Sequence, residues 1–282
     1  MKPYYEGWYM KQQQGDDVLA VIPGRATDNA FIQVITSQGA HYLSYPLAAF
    51  RQEERRGEGM VMHVGRNRFS PRGMDVDVHE GGVDLVGRLR YRSLTPLRSD
   101  IMGPFAMLPM ETKHTVFSMR HRVNGELTLN GETHRFDDGV GYMEGDRGHS
   151  FPAGYTWVQS GEFDNGASAM IAVARIPIGP VRFIGCIAVV NLDGCEYRLA
   201  TYRGVRILHA TSSLVELAQG DLRLRVDILG GGGHQLQAPD QGAMQRVIRE
   251  SPSVPAHFHF ERRGRTLLDA RSPHTSYEYV PE

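Results

Sequence analysis

The segment Glu144-Gly-Asp-Arg-Gly-His149 packs two carboxylates, a guanidinium and an imidazole into one short stretch, and the run Tyr155-Thr-Trp-Val-Gln159 follows a Phe-Pro-Ala-Gly turn. Burying an unpaired charge is expensive, so charges this dense beside an apolar strand either pair with one another or serve a site. Read as a site, Glu144 and Asp146 share one face of an extended chain. A carboxylic acid in an apolar setting has a raised pKa and becomes a proton donor near neutral pH. Arg147 then holds one acid ionised and leaves the other as donor, while His149 relays a proton. Tyr142 adds a hydroxyl. Tyr155, Trp157 and Gln159 alternate along the next strand and line one wall, where aromatic faces suit a cation. The alternative is a structural ion-pair network clamping the junction between two domains, with Trp157 as ordinary packing.

The elements that must position these groups read as strands. Asp28-Asn29, Gly81-Gly82, Asn124-Gly125, Asn130-Gly131, Asp138-Gly139, Asn165-Gly166 and Asp193-Gly194 recur between short apolar runs, the pattern of antiparallel hairpins. Thr115–Phe136 reads as a three-stranded meander with two tight turns. Asp75–His79 and Leu222–Ile228 alternate as half-buried strands do. Pro46–Arg56 and Gln241–Glu250 are the helix candidates, both weak, and the 32 glycines favour bends over long helices. The class is all-β.

A faint internal repeat divides the chain. Its two tryptophans, Trp8 and Trp157, each begin a comparable pattern of aromatic strand, polar turn and apolar strand. Two such starts predict two lipocalin-like (calycin-like) antiparallel β-barrels, over residues 1–140 and 141–282, since closure into a barrel hides sheet edges. Barrels of about eight strands have room for one small ligand.

His114 and His121 are expected to approach each other across the first barrel and, with Trp8, are candidate ligand-lining residues. Their spacing is not that of a metal site, and His257-Phe-His259 reads as strand surface. No metal and no cofactor is assigned. Gly230–Gly233 lacks the Lys-Ser/Thr of a phosphate loop and reads as a hairpin connection.

The formal net charge of −1 gives no sign of a nucleic-acid partner. No stretch approaches the roughly 20 apolar residues of a membrane span, and the start lacks an apolar signal core. Pairing outward from the Asp193-Gly194 turn sets Leu192 against Cys195 and Cys186 near Thr201, so the two cysteines are read as reduced. These features predict a soluble, cytoplasmic protein.

Tyr5-Glu-Gly-Trp-Tyr-Met-Lys11, Val64-Gly-Arg-Asn-Arg-Phe-Ser70, Gly141-Tyr-Met-Glu-Gly-Asp-Arg-Gly-His-Ser-Phe-Pro152, Trp157-Val-Gln159 and Arg249-Glu250 together resemble the tocopherol cyclase family, in consistent order along nearly the whole chain. The fold is also related to that of carotenoid hydratases. The resemblance implies paired lipocalin-like barrels and a prenylated or polyene-like substrate, acted on by proton-initiated addition to an alkene. Plant members look like Glu-x-Asn-Trp-Gly where this chain has Asp146-Arg147, so a contact within the site differs. The competing functional reading is a non-catalytic carrier or sensor of a hydrophobic ligand.

Overall fold

Turn dipeptides reverse the chain often enough that the computed structural model, which describes residues 2–178 and 181–281, is built from β-strands, with no α-helix among the described residues. The first sheet contains β1 (Tyr5–Gln14), β2 (Asp17–Arg25), β3 (Asn29–Thr36), β4 (Ala40–Pro46), β5 (Phe50–Arg55), β6 (Gly59–Val64), β7 (Asn67–Ser70), β8 (Gly73–Glu80), β9 (Val83–Arg92), β10 (Thr112–Leu129) and β11 (Glu132–Gly148). Its hydrogen-bonded order is β4-β3-β2-β1-β11-β10-β9-β8-β7-β6-β5. Each strand pairs with its sequence neighbour, the first pairs with the last, and the ladder stays open between β4 and β5. A 3-10 turn at Leu47–Ala49 occupies that opening.

The second sheet contains β12 (Tyr155–Ser160), β13 (Ser168–Ile178), β14 (Val181–Leu192), β15 (Cys195–Ala200), β16 (Arg206–Ala210), β17 (Leu214–Gln219), β18 (Leu222–Ile228), β19 (His234–Asp240), β20 (Ala243–Arg262) and β21 (Arg265–Val280). Its order is β15-β14-β13-β12-β21-β20-β18-β17-β16, with β19 paired to β20. The plan repeats that of the first sheet. First and last strands pair, and the opening between β15 and β16 again holds a 3-10 turn, Thr201–Arg203. The chain is therefore all-β, with two large antiparallel, barrel-like sheets that are not closed.

Two units separate by their internal contacts. One comprises Met1–Pro96, His114–Phe151 and Leu236–Val247; the other comprises Leu97–Lys113, Pro152–Gln235 and Ile248–Glu282. The first unit encloses a core drawn from both halves of its ladder, including Trp8, Met10, Leu19, Val21, Phe69, Leu89, Val123 and Met143. Burial of such side chains contributes about 1.5–3 kcal/mol each. Leu236–Val247 is fastened within this unit by the Gln33 side chain, which bonds Gln237 N and O at 2.9 Å each. The second core includes Val158, Ile171, Leu199, Leu224, Phe258 and Phe260.

Several local expectations hold. Gly81-Gly82, Asn130-Gly131 and Asp193-Gly194 have the paired positive φ angles of two-residue hairpin turns. Leu192 pairs with Cys195, and Cys186 N bonds Thr201 Oγ1 at 2.7 Å, so both thiols are free. Others are corrected. Phe50–Arg55 and Ala243–Glu250 are strand, because each finds a ladder partner, β6 and β19 or β21 respectively. Asn124-Gly125 is not a turn. β10 runs straight through it, and Gly125 at φ +127 lies under the Arg88 carbonyl, 2.1 Å from where a Cβ would stand. Asp138-Gly139 likewise lies inside β11, with Asp138 at φ 57 receiving the Asn124 side-chain oxygen on its N–H at 3.1 Å. The meander over Thr115–Phe136 thus has two strands, not three.

Candidate functional site

β11 alternates strictly through the motif. Gly141, Met143 and Gly145 face the first core, while Tyr142, Glu144 and Asp146 share the opposite face. The glycines are there for room: a Cβ on Gly145 would stand 2.8 Å from the Phe117 ring and 2.9 Å from Trp8, and one on Gly141 would stand 2.2 Å from His121 Nε2. The neighbouring strand β1 is locked in register, with Tyr9 opposite Glu144 and Lys11 opposite Tyr142. Tyr9 and Tyr142 meet edge to face at 6.5 Å.

β10 supplies the decisive group to that face. His114 Nδ1 lies 3.0 Å from Asp146 Oδ1, and its Nε2 lies 3.2 Å from Glu144 Oε2. The second contact is an ion contact rather than an aligned hydrogen bond. Tyr142 donates its hydroxyl hydrogen to Glu144 Oε2. Tyr142, Glu144 and His114 are buried, and Asp146 is partly so.

Burial alone opposes charge on an imidazole. Here the carboxylates of Glu144 and Asp146 overcome it and hold the His114 pKa well above its ordinary value. Burial, reinforced by the Glu144 charge and its hydrogen bond, pushes the Tyr142 phenol well up, so it stays protonated. The result is a buried imidazolium between two acids, with a phenol donating to one of them. One donor atom from each of His114, Glu144 and Asp146 lies within 4.8 Å of the others, which meets the spacing of a metal site. Each imidazole nitrogen is turned to a different carboxylate, so an ion held at one nitrogen would leave the other on its carboxylate.

The expected residues separate as follows. Tyr142, Glu144, Asp146 and His114 come together. Arg147 is exposed, and His114 stands where the sequence reading put a guanidinium. His149 lies beyond β11, where its carbonyl accepts from Gly242 N at 2.6 Å. His121 and Trp8 face the core side of the sheet, so His114 and His121 do not meet. His121 packs on Tyr91 with ring centroids 4.5 Å apart, and Gln12 Nε2 donates to the Tyr91 hydroxyl at 2.6 Å. Trp8 packs on Phe117 at 5.2 Å. Tyr155, Trp157 and Gln159 belong to the second unit and lie together on the face of β12 opposite Val158, which enters the second core. Trp157 is therefore not a counterpart of the core residue Trp8. Sequence reasoning missed Tyr9 and Lys11, and the Glu-Gly-Trp-Tyr-Met-Lys start was the available signal.

No protein-family profile matches the sequence, and no curated protein matches it. Solved structures do share its fold. A Nitrosomonas europaea protein, NE1406, assigned as AttH, aligns over 99% of this chain and 91% of its own, with a TM-score of 0.54 and 11% identity. Kievitone hydratase from Nectria haematococca aligns over 99% and 89%, with a TM-score of 0.55 and 10% identity. At such identities the likeness is one of fold.

Proposed function

We propose that this chain is a tocopherol cyclase-like or hydratase-like enzyme that adds an oxygen nucleophile across an alkene of a prenylated or other apolar small molecule. One observation carries the reading: a buried histidine shared by two carboxylates, with a tyrosine hydroxyl donating to one of them. Passing the His114 Nε2 proton to Glu144 Oε2 turns a buried ion contact into a neutral acid and a neutral ring, which a low-dielectric setting tolerates. Glu144 then protonates the alkene carbon. The carbocation is stabilised by aromatic faces, with Tyr9 and Tyr142 nearest. Water or the substrate's own phenol closes on the cation, and the proton it sheds returns to a carboxylate. The Tyr142 hydroxyl stabilises Glu144 as the charge reappears. Tyr155, Trp157 and Gln159 are ligand-lining candidates in the same reading. The hydratase among the proteins of this fold supports it, and the free cysteines suit the cytoplasm.

The test is turnover of a prenylated phenol and of a polyene by the wild type, Glu144→Gln, Asp146→Asn and His114→Gln. Loss of product with retained ligand binding is expected in the Glu144 and His114 variants. Unchanged turnover in both acid variants overturns the catalytic assignment. Binding without any product, in wild type and variants alike, makes the protein a carrier.

A further inference from the structure

Two proline-interrupted strands of the second unit bring a serine, a histidine and a glutamate into line. β20 carries Pro252 and Pro255, and β21 carries Pro273. Proline cannot donate to a ladder, so inside a sheet it goes with bulges and edges. Between the pairs Ser251–Tyr277 and Val254–Thr275, β20 has one residue more than β21; between Val254–Thr275 and Ala256–Ser272, β21 has one more than β20. Ser253 lies in the first irregularity and His274 in the second. Bulges re-aim side chains and are frequent beside active sites. Here Ser253 Oγ lies 2.8 Å from His274 Nδ1. Glu162, just past the end of β12, brings Oε2 to 3.9 Å from His274 Nε2. The surroundings are fastened by buried hydroxyls: Ser160 donates to Ser272 Oγ at 2.7 Å, and Ser276 donates to the Pro252 carbonyl at 3.1 Å.

We propose that Ser253 and His274, with Glu162 as positioning residue, form an esterase site for neutral carboxylic esters. A carboxylate facing Nε2 favours the tautomer with its hydrogen there, which leaves the Nδ1 lone pair as base for the Ser253 hydroxyl. The Ser253 proton passes to Nδ1 as Oγ bonds the ester carbonyl carbon. Glu162 then faces an imidazolium, whose charge it stabilises. Collapse of the tetrahedral adduct breaks the ester C–O bond, and the departing alkoxide takes the proton from Nδ1 and leaves as alcohol. Water adds next to the acyl carbon and gives its proton to Nδ1. The second collapse returns that proton to Ser253 Oγ and frees the acid.

Access and polarity select the substrate. Ser253 is half-buried, and the His274 and Glu162 side chains are 12% and 31% exposed, so the group is open to solvent while the imidazole is largely shielded. Gly230–Gly233 runs beside β20. A Cβ on Gly230 would stand 3.0 Å from Pro255 Cδ and one on Gly233 2.6 Å from the Glu250 carbonyl oxygen, whereas Gly231 and Gly232 have nothing within 4 Å. The run therefore brings backbone close to the bulge without side chains to crowd it. Neither Leu229–Gly233 nor Ser251–Ala256 contains a charged residue, and Leu229 is 50% exposed. These surroundings fit an uncharged ester with a small apolar acyl group rather than a phosphate or a charged peptide. The site lies in the second unit and does not depend on the reading of the Glu144 cluster, which belongs to the first.

The experiment combines labelling of the full chain by a fluorophosphonate, located by peptide mass spectrometry, with hydrolysis of p-nitrophenyl butyrate. The wild type should take the label at Ser253 and hydrolyse the ester. Ser253→Ala should lose both. His274→Gln should lose at least about a hundredfold in kcat and label more slowly. Glu162→Gln should lower kcat with KM unchanged, and Glu162→Asp should restore part of it, a split that a merely structural role would not give. Ser253→Ala removes a single hydroxyl from a half-buried position, and circular dichroism checks that the fold is kept. A wild-type chain that takes no label at Ser253, or ester hydrolysis that survives Ser253→Ala, overturns the proposal. Labelling of Ser253 at the wild-type rate in folded His274→Gln overturns it too.

Discussion

His114 and His121 stand on one strand, β10, and face opposite sides of the sheet, one held as a cation between carboxylates and the other as a neutral ring in the core. Burial, with the nearby Arg120 charge, lowers the His121 pKa to about 3, while the two acids raise that of His114.

These shifts act on stability with opposite signs. Between about 3 and 6.5 the unfolded chain binds the His121 proton and the folded chain does not, so stability falls as the pH drops through that window, by an order of several kcal/mol. The His114 contribution is complete below 6.5 and is lost as the pH rises through its raised folded value. Melting temperatures followed from acid to alkaline pH should show the acid limb flattened in His121→Leu and the alkaline limb flattened in His114→Gln. An unaltered acid limb in His121→Leu would contradict the neutral buried ring.

Tyr142→Phe removes the hydroxyl that donates to Glu144 and should cost about 1–3 kcal/mol in urea unfolding. Glu144→Gln leaves the His114 cation with Asp146 alone and should cost more, about 3–5 kcal/mol. If Glu144 is the proton donor, its variant also loses at least about a hundredfold in kcat, with KM little changed. Equal loss of stability and full activity in both variants would make the cluster a clamp.

Gly87→Ala and Gly131→Ala should part company. A Cβ on Gly87, at φ +140, would stand 2.2 Å from the Glu126 carbonyl oxygen, whereas Gly131, at φ +87, has nothing within 4 Å. The first should cost about 3 kcal/mol or more, and the second only the left-handed penalty of about 1 kcal/mol. Denaturant midpoints compare them directly.

Arg198→Met should strip the Ser99 and Asp100 carbonyls and take the cation from half-buried Glu196, which keeps the Arg98 N–H, at about 1–3 kcal/mol. Limited proteolysis should then cut within Ser99–Met110 while leaving β1–β11 intact. Resistance equal to that of the wild type would show that the segment is held by its aromatic contacts instead.

The parts of the fold legible in the sequence were those encoded by neighbouring residues. The Asp193-Gly194 turn alone sets Leu192 against Cys195, and alternation alone marks Leu222–Ile228. The motif's sidedness was legible too, since Tyr142, Glu144 and Asp146 do share a face. The partner of the acids was not. Arg147 was nearest in sequence, but strand alternation separates it from Asp146, while His114 arrives from another strand. Asn124-Gly125 misled for a related reason: its glycine answers a carbonyl across the sheet, a demand that local sequence does not record.

The pairing of β1 with β11, Tyr5 against Gly148, has a consequence for biosynthesis. Tyr9 leaves the ribosome early and cannot meet Glu144 until the chain has been made past it. Until then β1 lacks its partner along one edge, an invitation to wrong pairing. The second sheet repeats the delay, with Tyr155 waiting for Val280. Such long-range closures slow folding and lengthen exposure to aggregation. The proton-holding cluster is therefore assembled late, and chains truncated before Gly148 should be dependent on chaperones.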